Sequence, residues 1–535
     1  MPLLTQPSYP PTCLISHIQH SPPRLQVSEV IDQGLPTRVS QHVECAPFFY
    51  CFHLRLKSAG DRPHSTSIHI LDDDSLLNIF YLYRPVLLTE EEDIGTWFEE
   101  EEEWVQERWW YKLAQVCRRW RYLILEFASH LDVCLHCTYG TPVADILAHS
   151  PPLPLIIDYL DKGPDITAEE EDILLVLQHR DRVRRISLRM PVANLRRLVI
   201  AMGDEFPMLD YLYIGDLTND NTGLMLPESF QAPQLRHLLL EGVACPMGSP
   251  LITTAAGLMS LLLGPIPSSA YFSPNDLLLG LALLPKLMIL GINFLSPTPA
   301  HDVERQLLHT PIMTHATLPE LRYLGFKGVS AYLEALLSHI TAPPLERFHI
   351  GFVSQPTDSL PHLQQFTNTT KKQRWNSARL GFNESLVFLG MFPREWGGLE
   401  PWFTAVHCRH LDLQVASLAN ISNALWAVVS AVEYLTLEYS RSPIWSEWPD
   451  GPDRAQWREL LRPFRNVKTL SVPEDLIWEL SFSLQSDDGE SPMELLPELK
   501  ELSYPASDDS DVGEAFAAFA NARHNAGHPF ALVRR

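Results

Sequence analysis

One short pattern recurs down most of this chain: an apolar residue, two of any kind, an apolar residue, one of any kind, and a final apolar residue. It runs as Val183…Ile186-Ser187-Leu188, Leu209…Leu212-Tyr213-Ile214, Leu235…Leu238-Leu239-Leu240, Leu258…Leu261-Leu262-Leu263 and Leu287…Leu290-Gly291-Ile292. It continues as Leu321…Leu324-Gly325-Phe326, Leu345…Phe348-His349-Ile350, Cys408…Leu411-Asp412-Leu413, Val432…Leu435-Thr436-Leu437, Val467…Leu470-Ser471-Val472 and Leu499…Leu502-Ser503-Tyr504. A weaker copy lies at Ala378-Arg379-Leu380. The first units begin at 183, 209, 235, 258 and 287, so they are 26, 26, 23 and 29 residues apart. Such a unit has room for one short strand and a return segment, and it cannot bury its apolar side alone. Copies must stack, which lays the strands into one parallel sheet with the apolar positions inward.

Prolines at 207, 233, 285, 319, 344 and 497 stand just before the first apolar position of their units. Proline biases its predecessor away from helix, so each is expected to end a return helix before the strand begins. Upstream, Leu131 to Leu135 alternates like a strand, Pro142 to His149 reads as a short helix, and Pro154 to Leu160 reads as a strand. Glu169 to Gln178 reads as an amphipathic helix with acids in its first turn, where the helix dipole favours them. The period falls in the leucine-rich-repeat range. The chain resembles that family, with one departure: Leu217, Val243, Leu295, Val329 and Val353 stand where the family usually carries Asn or Cys. The expected fold of residues 129–535 is therefore α/β, an irregular solenoid of parallel strands with helices on its convex side and a closing helix at Val512 to Arg523.

The stretch from Ile70 to Leu125 is of another kind. Leu71, Leu76, Leu77, Ile79, Phe80 and Leu82 follow an Asp run, at a spacing that predicts an amphipathic helix capped by an acidic side chain. Leu113, Val116, Cys117, Trp120 and Leu123 repeat that spacing after a very acidic insert at 86–108. Ile79-Phe80-Tyr81-Leu82 and Val116-Cys117-Arg118-Arg119-Trp120 resemble the two halves of an F-box, although Asp72 follows Leu71 where the family has Pro. Residues 67–128 are thus expected to form a short all-α F-box hairpin. Residues 1–66, rich in Pro, Ser, His and Gln without periodicity, are expected to be disordered or loosely packed.

Composition narrows the function. At 535 residues the chain is long enough for more than one core, and its formal charge of −24 opposes attraction to nucleic acid or anionic lipid. Eight cysteines are too sparse for a disulfide scaffold and fit a reducing compartment, cytoplasmic or nuclear. The uncharged stretch from Val243 to Asn275 is cut by prolines into pieces too short to span a membrane, where about 20 residues are needed. None of the common nucleophile, phosphate-loop, dinucleotide or zinc-protease motifs occurs. Cys134-Leu135-His136-Cys137 has no second pair at zinc spacing. No catalytic residue, metal or cofactor is expected.

Binding is the use that remains. The outward positions of the sheet would carry Arg185, Ser187, Arg189, Tyr211, Tyr213, His237, Glu241, Tyr323, Lys327, Arg347, His349, His410 and Asp412, and Tyr and Arg are favoured at binding hot spots. The whole layout also resembles the large F-box family of mushroom-forming fungi. That resemblance implies an adaptor of an Skp/cullin/F-box ubiquitin ligase. The apolar residues of 71–82 and 113–123 would dock on the Skp adaptor, and through it a cullin, while the sheet face holds a protein substrate. A repeat scaffold for protein partners with no ligase role is the other reading the pattern allows.

Overall fold

The computed structural model describes residues 71–84, 109–160, 170–217, 223–267, 270–294, 312–342, 345–353, 360–369, 375–394, 402–408, 410–440, 454–485, 493–505 and 515–535. All of them fall within one compact unit, His69–Arg535. The expectations for residues 1–66 and for the acidic insert lie outside the described residues, as do Leu295 and Pro344.

Three helices come first: α1 (Asp73–Tyr83), α2 (Trp109–Ala114) and α3 (Arg118–Glu126). The strands follow, beginning with β1 (Leu135–Thr138), β2 (Leu155–Tyr159), β3 (Val183–Met190), β4 (Tyr211–Asp216), β5 (Leu224–Met225), β6 (His237–Glu241) and β7 (Val243–Ala244). Next are β8 (Ser260–Ile266), β9 (Ile289–Phe294), β10 (Ala316–Thr317), β11 (Tyr323–Gly328), β12 (Ile340–Thr341) and β13 (Arg347–Phe352). The last are β14 (Ser377–Asn383), β15 (Leu386–Phe392), β16 (Trp402–His407), β17 (Tyr434–Ser440), β18 (Thr469–Ser471), β19 (Glu501–Tyr504) and β20 (Ala531–Arg534). The class is mixed α/β, with one large, mostly parallel sheet of 16 strands ordered β1-β2-β3-β4-β6-β8-β9-β11-β13-β16-β15-β14-β17-β18-β19-β20.

The repeating apolar positions explain the sheet. Ile186, Leu212, Leu238, Leu261, Leu290, Leu324 and Phe348 stand side by side on successive strands and are all fully buried. One such row supplies a continuous apolar spine, each member contributing about 1.5–3 kcal/mol relative to exposure. The prolines act differently from expectation. They do not end helices directly; Pro207, Pro233, Pro285, Pro319 and Pro497 occupy the second position of a tight turn. In each, the amide of the following Leu donates to the carbonyl before the proline: Leu209 to Phe206 (3.3 Å), Leu235 to Ala232 (3.0 Å), Leu287 to Leu284 (3.2 Å), Leu321 to Leu318 (3.3 Å) and Leu499 to Leu496 (3.0 Å). Proline's fixed φ suits that position.

The regular succession breaks once. β15 runs antiparallel to both β14 and β16, so the sheet passes from β13 to β16, back through β15 to β14, and on to β17. The β14–β15 turn is set by Asn383, whose Oδ1 accepts from the amides of Ser385 (3.1 Å) and Leu386 (2.7 Å). Fully buried Gln414 holds the turn in place by donating to the carbonyls of Asn383 (2.6 Å) and Cys408 (2.9 Å). Gln414 belongs to a helix, Leu411–Ala424, which corrects the strand unit expected at Cys408 to Leu413. Trp402–His407 is the strand there, and apolar residues at 408, 411 and 413 fit either form.

Other boundaries also move. Leu131 to Cys134 forms a turn, with Asp132 at φ 56°, and the first strand starts at Leu135. The closing helix is described as Ala517–Asn525. Its fully buried Arg523 donates to the carbonyls of Leu496 (3.0 Å), Pro497 (3.1 Å), Leu499 (3.3 Å) and His528 (3.3 Å), tying the last helix to the turn before β19.

Candidate protein-docking surfaces

Asp72 starts the first surface by accepting from the Ser75 amide (2.7 Å) as the cap of α1. That bond holds its carboxyl below the usual range, with the Arg119 charge adding to it. Arg119 in turn donates to Asp73 (2.6 Å) and to the Leu71 carbonyl (2.7 Å), which clasps α3 to the start of α1. Phe80 meets Trp120 edge to face at 4.9 Å in the interior of the three helices.

The residues expected to meet a partner divide in two. Leu76, Leu77, Phe80, Trp120 and Leu123 are buried and hold the helices together, and Leu71, Leu113 and Cys117 are half-buried. Ile79, Leu82 and Val116 face solvent at 41%, 82% and 57% exposure. Val116 does so because the chain leaves the helix at 115–117, between α2 and α3, where a continuous helix was expected. Tyr81, Tyr83, Tyr122 and Phe127 join the exposed set at 41–63%. Sequence reading passed over these aromatics because they fall between the apolar positions that mark the core.

These helices are fastened to the sheet. The Trp110 indole N–H donates to the Cys134 carbonyl at 3.1 Å in a buried contact. Arg84, which caps α1, pairs with Asp132 (2.8 Å), and Arg184 bridges Asp132 to Asp210 (2.7 Å to the latter). Burial works against the Arg184 charge, but Asp210 and Asp132 hold its guanidinium above its ordinary range. Asp132, Arg184, Asp210, Arg236 and Met208 line a cleft of about 350 Å³ beside this junction.

The second surface is the sheet side opposite the apolar spine. Arg185, Tyr211 and His237 stand in one row, with the Arg185 guanidinium 3.8 Å above the Tyr211 ring. Tyr213 donates its hydroxyl to Glu241 (2.9 Å), and burial and the Glu241 charge together push that hydroxyl far above its ordinary pKa. Gly215 makes room for the group, since a Cβ there would lie 2.9 Å from the Tyr213 hydroxyl and 3.2 Å from Arg189 Cγ. Farther along, Lys327, Arg347 and His349 are half-buried on the same side.

Four expected face residues are not exposed strand positions. Tyr323 and Ser187 are on this side but only 1% and 2% exposed. Tyr323 packs against the edge of His349 at 5.4 Å. His410 and Asp412 are not on a strand: they cap and begin the helix Leu411–Ala424. Phe388, Phe403 and His407 were passed over, because β15 and β16 carry no copy of the repeat template.

Among the described residues, no group of three or more His, Cys, Asp or Glu is placed to hold a metal ion. No helix among them is long and apolar enough to cross a membrane. The sequence matches no model of a known protein family and no curated protein.

Proposed function

We propose that the chain is the substrate-recognition adaptor of an Skp/cullin/F-box ubiquitin ligase, with α1–α3 as its F-box and the stacked strand units as a leucine-rich-repeat solenoid. The carrying observation is the exposed apolar set Ile79, Leu82, Val116 and Tyr122 on helices whose own core is already filled by Phe80 and Trp120. Large apolar side chains left exposed on a satisfied core favour a partner surface. The F-box resemblance gives that partner as the Skp adaptor, and through it a cullin.

The sheet face supplies the other half of the reading. It offers aromatic and cationic side chains on a rigid backbone, suited to capturing a protein substrate. The chain would then act by proximity, raising the effective concentration of substrate beside a loaded conjugating enzyme.

Co-purification with the Skp adaptor tests this. Wild type is expected to recover the adaptor, and a Leu82→Asp, Val116→Asp variant is expected to lose it while keeping its melting temperature, because both side chains are already in water. A Tyr211→Ala, Tyr213→Ala variant is expected to keep the adaptor and lose substrate. Failure of the wild type to recover the adaptor sinks the proposal.

A further inference from the structure

Outside the stretch 71–130, the described residues leave only two Phe, Tyr or Trp side chains exposed, and both lie on one short helix. Trp478 is 57% exposed and Phe482 is 59% exposed. They stand four residues apart on the helix Ile477–Leu484, a spacing that sets two side chains one above the other on one face, about 5–6 Å apart at Cβ. The helix does not need these rings to hold it down, because Ile477, Leu480 and Leu484 are already buried in the core. Tryptophan is highly buried on average, so a ring left in water on a satisfied helix points to a contact beyond the chain.

Carboxylates border the rings. Glu474 and Asp475 belong to the 3-10 turn Glu474–Leu476 that leads into the helix. Glu479 is one residue from Trp478 and three from Phe482, within reach of a ligand that touches either ring. All three side chains are exposed, and among the described residues no cation pairs with any of them. The Phe482 ring already takes one cation from inside the molecule: the Arg454 guanidinium, on the neighbouring helix Arg454–Leu461, lies 5.7 Å from its centroid.

Open aromatic faces beside negative charge select a cation. Arginine suits them better than lysine, because its planar guanidinium stacks on rings and forks to a carboxylate, whereas an ammonium is a strongly hydrated point charge. The helix has eight residues and is about 12 Å long, too short to supply the roughly 1,000 Å² that a stable interface between folded partners takes. A second copy of the chain, itself at −24, is therefore a poor occupant, and a short basic segment held by a few anchors is a good one.

We propose that the face formed by Glu474, Asp475, Trp478, Glu479 and Phe482 binds an arginine-rich segment of a partner protein, its guanidinium groups stacking on the two rings and pairing with the three carboxylates. This surface shares no residue with α1–α3 or with the sheet face, and the proposal holds or falls without the ligase reading.

The test uses the full chain and a fluorescein-labelled peptide in which Arg alternates with Leu and Ser, read by fluorescence anisotropy. A Trp478→Ala, Phe482→Ala variant is expected to lose at least roughly tenfold in affinity while keeping its melting temperature, because both side chains are largely in water. Glu474→Gln, Asp475→Asn, Glu479→Gln is expected to lose at least roughly tenfold as well. Glu205→Gln, Glu228→Gln, Glu320→Gln removes the same charge from exposed positions elsewhere and is expected to change binding less than about twofold. If the ring variant folds poorly, Trp478→Gln alone carries the comparison. Unchanged affinity in a folded ring variant overturns the proposal. Equal losses in the two charge-neutralised variants would show attraction to net charge alone and overturn it too. A Lys-for-Arg peptide is expected to bind at least roughly threefold more weakly, and equal binding overturns the choice of arginine. Binding to neutral phosphatidylcholine vesicles that the ring variant loses would assign the face to a membrane. Self-association in sedimentation that the ring variant loses would assign it to a second copy. Either result overturns the proposal.

Discussion

Trp110 donates its indole N–H to the main-chain carbonyl of Cys134 across 3.1 Å, and the bond is buried. It joins the three N-terminal helices to the turn that feeds the first strand of the sheet. A side chain on α2 thus satisfies a carbonyl that no strand neighbour reaches.

Trp110→Phe keeps most of the ring and removes the donor. The orphaned carbonyl is expected to cost about 1–3 kcal/mol. Hydrogen exchange should quicken in α2 and α3 before it does in the strands. Unchanged exchange in 109–126 would show that the bond does not fasten the helices.

Gly381 and Phe388 form a second dependent pair. A Cβ on Gly381 would run into the Phe388 ring, which would have to shift to make room. Gly381→Ala is expected to destabilise the protein by about 1–3 kcal/mol, the usual range for overpacking. Phe388→Leu should recover part of that loss in the double variant, and a denaturant-melt double-mutant cycle measures the coupling.

Arg523 is buried and spends its donors on main-chain carbonyls of Leu496, Pro497, Leu499 and His528. Arg523→Met leaves those acceptors without it, and a loss on the order of 2 kcal/mol is expected. Limited proteolysis should then cut first after 493. Resistance equal to wild type would contradict the tie between the last helix and the β19 turn.

Burial pushes the thiols of Cys134, Cys245 and Cys408 up to about 11, from an ordinary value of 9.0. Below pH 9 folded and unfolded chains both keep these protons, and the thiols leave stability unchanged. Between pH 9 and 11 the unfolded chain releases protons that the folded chain retains, so stability falls by up to about 1.4 kcal/mol per pH unit for each thiol. Urea melts across that window should show the decline, and replacing all three with Ala should flatten it.

Much of this architecture could be read from the sequence, because the features that carry it are local and repeated. The spine from Ile186 to Phe348 follows from spacing alone, and Asp72 was legible as a helix cap. Three things were not. The apolar spacing of Cys408, Leu411 and Leu413 suits a strand and a helix equally, and only the presence of Trp402–His407 as a strand decides between them. Val116 fits a helical period, yet the break at 115–117 turns it to solvent. The ring contact of His349 with Phe403 depends on β13 and β16 being neighbours, and that order does not follow the sequence.

The reversed strand β15 has a consequence for how the chain reaches its fold. On either side of it, each strand pairs with one close in sequence, so loop closure is cheap and structure can spread from unit to unit. At the reversal, β13 must find β16 and β14 must find β17, each across a much longer stretch of chain. Two arrays are therefore expected to nucleate separately, one ending at β13 and one beginning at β17, with the seam between them closing last. Pulse-labelled hydrogen exchange during refolding would place the slowest protection in β14 to β16, and a mutation at the seam would slow folding without altering either array.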